Sequence, residues 1–315
     1  MTRVGSSGVP APLILIAKNG LGNRLRAIAS ASQLSQLLGR ELLVFWPPYD
    51  GAATDWNDLF DQPREFTFIN SREAESRGVM DAEIPQGLHE SSYMVTLRGG
   101  GVGEQIYIRD FSSRAQKNGS ALCVVVSGGY FDSRARNIRQ VARLSASSRR
   151  HLVQHLPIKS EILELAEAVR PVGPYIGLHL RGTDRRKEAA SPQRLTNIAK
   201  RVATRQGVNE VFICADSEPL RTSAVEQLSG AGLKVHFDSY LPTRRDVEGE
   251  KHALADFVNL RSSTHLVGAL ASTFATEAAT QVAVNQVRLV RRRSTGSRRL
   301  DKALRKKLGE SAAFW

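Results

Sequence analysis

The sequence predicts an α/β protein with a parallel sheet in each half. Three observations carry this reading. Short apolar runs of strand length alternate with helical stretches along most of the 315 residues, which is the rhythm of βαβ units. The runs are largely uninterrupted, as in buried strands. A breaker cluster, Pro171-Val172-Gly173-Pro174, separates an irregular first half from a more regular second. The length fits two domains. Their expected extents are 1–170 and 171–287, followed by a basic tail over 288–315.

Leu13–Ala17 reads as the first strand. Lys18–Arg24 is a glycine-bearing turn, and a helix follows from Leu25 to Leu38 with Gly39 as its stop. Leu42–Trp46 is a second strand, closed by Pro47-Pro48. This β–loop–α–β unit lacks the full G-x-G-x-x-G pattern and the P-loop lysine. Gly20-Leu21-Gly22 is therefore read equally as a tight strand-to-helix turn or as part of a site. Further on, Trp56–Phe60 reads as a short amphipathic helix, and Phe66–Ile69 and Tyr93–Leu97 as strands. Gly99–Gly103 reads as a surface loop and Leu122–Val126 as a strand. Ala135–Val169 is helical in pattern, with a break at Pro157.

The second half is clearer. Tyr175–Leu180 is a strand, and Ser191–Gln206 a helix with Ser191 as its cap and Pro192 at its first position. Val211–Ala215 is a strand, Leu220–Gly230 helical, and Lys234–Phe237 a short strand. Ala253–Arg261 is helical, and Thr264–Gly268 is a strand. Ser272–Ala275 leads into a last helix over Thr276–Gln281.

Hydrophobic content of 41% and charged content of 24% are those of a soluble globular chain. No apolar stretch reaches the ~18 residues of a membrane span, and Leu13–Ala17 is too short for a signal-peptide core. Cys123 and Cys214 lie in separate apolar runs and read as buried thiols, which favours a reducing, cytoplasmic setting. Of the net charge of +13, residues 288–307 supply +9, leaving +4 for the rest. Specific nucleic-acid binding does not follow from an excess held in one segment. Leu300, Leu304 and Leu308 form a stripe beside the basic residues. The plain reading is a docked terminal helix with a solvated basic face. The sharper one is peripheral attachment to anionic lipid at the inner membrane surface, or to an acidic glycan.

The chemistry concentrates after Tyr175–Leu180. That strand runs into Arg181-Gly182-Thr183-Asp184-Arg185-Arg186, which places guanidinium, glycine and carboxylate where open α/β sheets bind ligands. Arg181 can hold phosphate through its fork, and Gly182 lets backbone approach closely. The competing reading of Arg181 is a surface ion pair. His179 is either a core residue or a ligand contact. Asp184 either caps the loop or orients Arg181, and Asp216 either contacts a ribose or base or caps a helix. The chain has no Asp-x-Asp pair and no Cys/His cluster with metal spacing, so neither metal nor other cofactor is expected.

Taken together, three stretches resemble the fucosyltransferases that use GDP-fucose, a superfamily of α1,2-, α1,6- and protein O-fucosyltransferases. Gly20-Leu21-Gly22-Asn23-Arg24 is similar to the glycine–asparagine turn that opens their N-terminal domain. His179-Leu180-Arg181-Gly182-Thr183-Asp184 is similar to their His-x-Arg-x-x-Asp signature. Asp256-Phe257-Val258-Asn259-Leu260 with Ser272-Thr273-Phe274 is similar to their late helix and Ser-Ser-Phe turn. Gly182 stands where the family often carries a second arginine.

The resemblance implies a GT-B fold, with two Rossmann-like domains and parallel sheets facing a central cleft. It implies an inverting, metal-independent transfer of fucose from GDP-fucose, or of a related sugar from its nucleotide, to a glycan, lipid-linked saccharide or peptide hydroxyl. Arg181 would be the electrostatic catalyst, aided by backbone N–H groups of Ser272-Thr273-Phe274. Asn23 would reach a donor phosphate or the acceptor hydroxyl, with Gly20 and Gly22 shaping its turn. His179 would touch the nucleotide, and Asp256 would read guanine, unless it is an ordinary exposed helix acid. A general base is not singled out among Asp50, Asp55 and Glu104. The competing functions are a transferase using another nucleotide sugar, and a non-catalytic nucleotide- or polyanion-binding protein.

Overall fold

A computed structural model gives the fold and describes residues 10–48, 53–77, 94–99, 102–107, 122–127, 146–182, 190–241 and 246–290. The backbone divides into two compact units, residues 1–47 with 62–148, and residues 48–61 with 149–315.

In the first unit a six-stranded sheet runs in the order β3-β2-β1-β6-β4-β5. Its strands are β1 (Leu13–Ala17), β2 (Leu42–Phe45), β3 (Thr67–Ile69), β4 (Met94–Gly99), β5 (Val102–Tyr107) and β6 (Leu122–Ser127). Every residue of β1 is buried, because β2 and β6 flank it in parallel and helix α1 (Leu21–Leu38) packs across it. Strands enclosed in this way read as continuous apolar runs. Ile14, Ile16, Leu43, Phe45, Ile69 and Val124 join Ala74, on the short helix α2 (Ser71–Ser76), in one core.

The structure corrects three local expectations. Helix α1 starts at Leu21, four residues earlier than its apolar pattern suggests, with Gly20 extended at its cap. Gly39 ends it in the left-handed conformation, φ +61°, that a residue without Cβ adopts at no steric cost. The sheet is also not wholly parallel: β4 pairs antiparallel with both β6 and β5. Of the Gly99–Gly103 stretch, the described residues Gly99, Val102 and Gly103 are strand residues of that hairpin, Gly99 pairing with Val102 and Gly103 with Arg98. Ladder hydrogen bonds to a neighbour outweigh the weak strand propensity of glycine.

One buried cation fixes the turn after β1. Arg24 is fully buried and donates from Nε to the Asn19 carbonyl and from Nη2 to the Pro47 carbonyl, each at 2.8 Å. Its guanidinium lies 4.5 Å from the centre of the Trp46 ring. The ends of β1 and β2 are thereby tied together, and Asn19 holds φ +69° in the process.

The second unit carries a fully parallel sheet in the order β11-β10-β7-β8-β9. Its strands are β7 (Tyr175–Leu180), β8 (Glu210–Ala215), β9 (Lys234–Phe237), β10 (His265–Ala269) and β11 (Val287–Val290). Strand alternation divides it into two faces. Ile176, Leu178, Leu180, Val211, Ile213 and Val267 form one core with Leu195, Ile198 and Leu228. These last three come from helices α5 (Pro192–Gln206) and α6 (Glu218–Ser229). The opposite face is covered by α7 (Val247–Arg261), and α4 (Ser160–Val169) packs against α7. There a side chain on Gly177 would meet Ser263 Oγ at 2.8 Å. The two helices are joined through buried Asn259, which donates to the Ala166 carbonyl and accepts from Arg170, both at 2.9 Å.

Two segments ahead of β7 belong to this unit. Asp61 N–H donates to the Pro157 carbonyl at 2.7 Å, and Ala53 N–H to Glu250 at 2.6 Å. Helix α3 (Ala146–Gln154) places Arg149 in a buried 3.1 Å ion pair with Glu277 of helix α8 (Thr273–Ala278). The expected amphipathic helix at Trp56 is a single 3-10 turn, Trp56–Asp58, with Asp55 in its capping box.

Replacing Arg24 by Met removes two charge-assisted hydrogen bonds and leaves two carbonyls without their donor. The expected loss in unfolding free energy of the first unit is about 2–4 kcal/mol. Denaturant titration checks this, and a loss within ~0.5 kcal/mol of zero would show that the tie does not hold the turn.

Candidate functional site

In the second sheet the winding direction reverses between β7 and β10, and open α/β sheets bind ligands at the carboxyl ends of such a pair. Two of the expected segments emerge there. Arg181 and Gly182 follow β7 directly, and Ser272-Thr273-Phe274 follow β10 at the start of α8.

The register of the sheet builds the floor. His179 of β7 is paired with Cys214 of β8, and Ile213 with Phe237, so Asp238 comes beside Cys214 just past β9. On the other side of His179 lies Gly268, where an added Cβ would sit 3.6 Å from that of His179 and 2.9 Å from that of Ala275. The bare backbone at Gly268 is what lets α8 approach the sheet. Gly268, His179, Cys214 and Asp238 thus form one row across four strands. Phe274 stacks on His179 with centroids 5.4 Å apart and planes at 27°, and Phe257 of α7 meets Phe274 edge-on at 5.3 Å.

Asp216, two residues beyond Cys214, accepts the Gly182 N–H at 2.6 Å, tying the ends of β7 and β8. Gly182 is closely enclosed: a Cβ there would lie 2.3 Å from Leu220 Cδ1. The position often held by a second arginine in the resembling family is occupied by the Leu220 side chain of α6. Ser272 caps α8, accepting from the Ala275 N–H at 3.3 Å, and its own N–H is committed to the Ala269 carbonyl at 3.0 Å. The amides of Thr273 and Phe274, in the first helical turn, have no carbonyl a turn earlier to bond.

Asp256 lies on α7 and is 2% exposed, so the reading of it as an ordinary exposed helix acid is wrong. Seven consecutive residues, Leu254–Leu260, are buried because α7 is covered by the sheet on one side and α4 on the other. Asp256 Oδ1 has no hydrogen-bond partner among the described residues. Burial pushes its carboxyl well above the usual carboxylate range, and the negative charge of Asp238 adds to this. The Cys214 thiol against it and the Arg221 guanidinium act the other way. Burial and the same carboxylates push the Cys214 thiol up. Arg221 is itself buried and donates to the Asp238 carbonyl at 2.6 Å.

His179, Gly182, Asp216, Asp256, Ser272, Thr273 and Phe274 therefore gather at one edge, with half-buried Arg181 among them. Asp184 and the tail beyond residue 290 lie outside the described residues, as does Asp50. Gly20, Gly22 and Asn23 belong to the first unit, where Gly20 precedes α1, Gly22 is buried, and Asn23 is half-buried in the first turn. Asp55 serves as a cap, and Glu104 lies on β5. Sequence reasoning passed over Asp238, Arg221 and His252. The one available signal was the position of Asp238 directly after a short strand.

No family model matches the sequence, and no curated protein matches it. Solved structures do match the fold. The NodZ α-1,6-fucosyltransferase soaked with GDP-fucose, a protein also solved from Bradyrhizobium, superposes with a TM-score of 0.59 at 16% identity, covering 86% of this chain and 93% of that one. FUT1 of Arabidopsis thaliana in complex with GDP gives 0.59 at 14% identity, over 88% and 70%. POFUT1 in complex with GDP-fucose gives 0.54 at 12%, over 87% and 95%. The chain has the GT-B fold of these fucosyltransferases.

Replacing Asp256 by Asn is expected to stabilise the protein at neutral pH by about 1–3 kcal/mol, the scale of an incompletely satisfied buried polar group. The sign follows from the raised folded pKa. Wild-type stability from this group is fully present in acid and is lost as pH rises from the ordinary carboxylate range through the raised value. The advantage of Asp256→Asn should therefore shrink on acidification. Unfolding midpoints of both proteins between pH 4 and 8 test this, and an advantage that grows toward acid would refute it.

Proposed function

We propose that the chain is an inverting, metal-independent glycosyltransferase that moves fucose from GDP-fucose to a hydroxyl of a glycan, lipid-linked saccharide or peptide. The observation that carries the proposal is a pairing at one sheet edge. A strand-end arginine and two amides of a helix's first turn stand beside a buried carboxylate with an unsatisfied oxygen. The first set suits a diphosphate, the second a base edge that offers donors. That the solved structures of this fold include complexes with GDP and GDP-fucose supports the same ligand here.

Asp256 would accept from the guanine N1–H and 2-amino group, which fill the vacancy at Oδ1. His179, stacked on Phe274, would line the nucleoside. Asp216 holds the Gly182 amide and so sets where Arg181 leaves the strand. As the acceptor oxygen attacks C1 of the sugar from the face opposite the leaving group, the C1–O bond to the β-phosphate breaks and charge grows on that phosphate. Arg181 and the Thr273 and Phe274 amides would stabilise that charge in place of a cation. Asn23, on the first unit, is assigned to the acceptor hydroxyl or a donor phosphate. Its amide orients but is no efficient base.

Arg181→Ala should lower kcat with GDP-fucose by ~10²–10³-fold, the effect of removing one preorganised donor to a developing anion. Chelation with EDTA should leave wild-type turnover unchanged. Transfer measured by mass spectrometry against an acceptor panel checks both. Near-normal kcat in Arg181→Ala would remove Arg181 from this role, and a requirement for divalent cation would contradict the metal-independent mechanism. Selective binding of UDP or ADP over GDP in calorimetry would favour a different nucleotide sugar.

A further inference from the structure

The carboxyl of Asp256 has a second carboxylate for a neighbour. The register that puts Asp238 beside Cys214 brings it to the same floor, and both acids are buried. The two differ in what their oxygens meet. One oxygen of Asp238 accepts the Tyr240 N–H at 2.9 Å, and the other lies 2.5 Å from Nδ1 of His252. Asp256 Oδ1 has no partner among the described residues. Two carboxylates that share a desolvated setting oppose each other's ionisation, and the charge rests on the one that meets donors. Here that one is Asp238, which leaves the proton to Asp256.

The other charged and titratable groups around α7 leave this division in place. Burial is the largest influence on the Asp256 carboxyl and pushes it well above the usual carboxylate range, with Asp238 adding to the push. The Cys214 thiol of β8 and the Arg221 guanidinium of α6 favour its charged form without offsetting burial. His179 of β7 is paired with Cys214 in the same row, and Asp216, beyond the end of β8, accepts the Gly182 N–H. From α4, Glu161 pairs with Lys251 and Arg170 donates to Asn259. From α8, Glu277 pairs with Arg149.

A carboxylate and a neutral carboxyl read different base edges. The carboxylate only accepts, which suits the N1–H and 2-amino group of guanine. The neutral carboxyl turns one oxygen into a donor, which suits an edge with an acceptor nitrogen beside an amino group, as in adenine. We infer that Asp256 holds a proton in the unliganded protein, with the charge left on Asp238, and releases it when a guanine base docks, so that the protonation of this one group selects the purine. This deepens the proposed GDP site and rests on it. In the step the carboxyl O–H bond breaks, the proton passes to water, and the freed oxygen accepts a guanine N–H. Guanine takes the ionised form, so its affinity rises with pH up to the raised folded value and levels off above it. Adenine takes the neutral form, so its affinity falls as pH rises through that value.

Calorimetric titration of the full chain with GDP and ADP across pH 5 to 8 tests this. The two nucleotides carry the same diphosphate, so the ratio of their affinities cancels phosphate titration. The GDP-to-ADP ratio should rise with pH by up to about ten-fold per unit, the slope set by one proton. GDP binding should also release up to one proton more than ADP binding, read from heats in buffers of different ionisation enthalpy. Asp256→Asn, whose amide has the donor and acceptor of the neutral carboxyl, should hold the ratio at its acid value throughout. Asp238→Asn removes the neighbouring charge and should raise the ratio at a given pH, whereas Cys214→Ala removes the thiol and should lower it. A wild-type ratio that does not change with pH overturns the inference, as does a pH dependence that survives in Asp256→Asn. If the wild-type chain binds no guanine nucleotide at any pH, the underlying functional proposal fails instead.

Discussion

The candidate site of the second unit is organised around the Asp256 carboxylate, which is held out of water without being fully satisfied. Covering α7 with the sheet on one side and α4 on the other removes solvent from that carboxylate, while Cys214, Asp238 and Arg221 set the charge around it. A buried acceptor left with an open oxygen is costly, and such costs persist where a ligand offsets them. The neighbouring groups are largely engaged within the protein. Arg221 donates through both terminal nitrogens and Asp238 accepts at both carboxylate oxygens, while Arg221 Nε joins Asp256 Oδ1 among the buried atoms without a partner among the described residues.

The rest of the site follows from register. One row of residues, from β10 through β7 and β8 to the end of β9, sets the floor, and the reversal of strand order sets where the chain opens above it. Two glycines make the packing feasible for different reasons. Gly268 admits α8 against the sheet, whereas Gly182 leaves its space to Leu220. The second glycine also explains the missing arginine of the resembling motif, because in this chain α6 fills that volume with an aliphatic side chain. In the first unit Arg24 has a comparable structural part, since it holds the turn from which α1 and Asn23 start.

Much of this arrangement was legible in the sequence, because buried parallel strands announce themselves as apolar runs. Tyr175–Leu180 is such a run, and the groups at its end needed only the general rule on carboxyl edges to be singled out. The parts that escaped were set by distant pairing. Gly99–Gly103 looks like a loop until β5 is known to pair with β4. Helix α1 begins early because Gly20 supplies an extended cap with no side chain to mark it. Asp256 sits between Ala255 and Phe257, where only knowledge that α4 covers the outer side of α7 shows it to be buried. Nothing local links Asp238 to His252, whose contact is made by the fold.

Hydrogen exchange on the full chain with and without GDP tests the central claim, that the carboxyl edge of the second sheet is a nucleotide site. Slowed exchange is predicted in the amides of Gly182, Thr273 and Phe274 and in α7 around His252 and Asp256, with the strand cores of β7 and β8 unchanged. Protection absent from these segments, or confined to the first unit, would contradict the account.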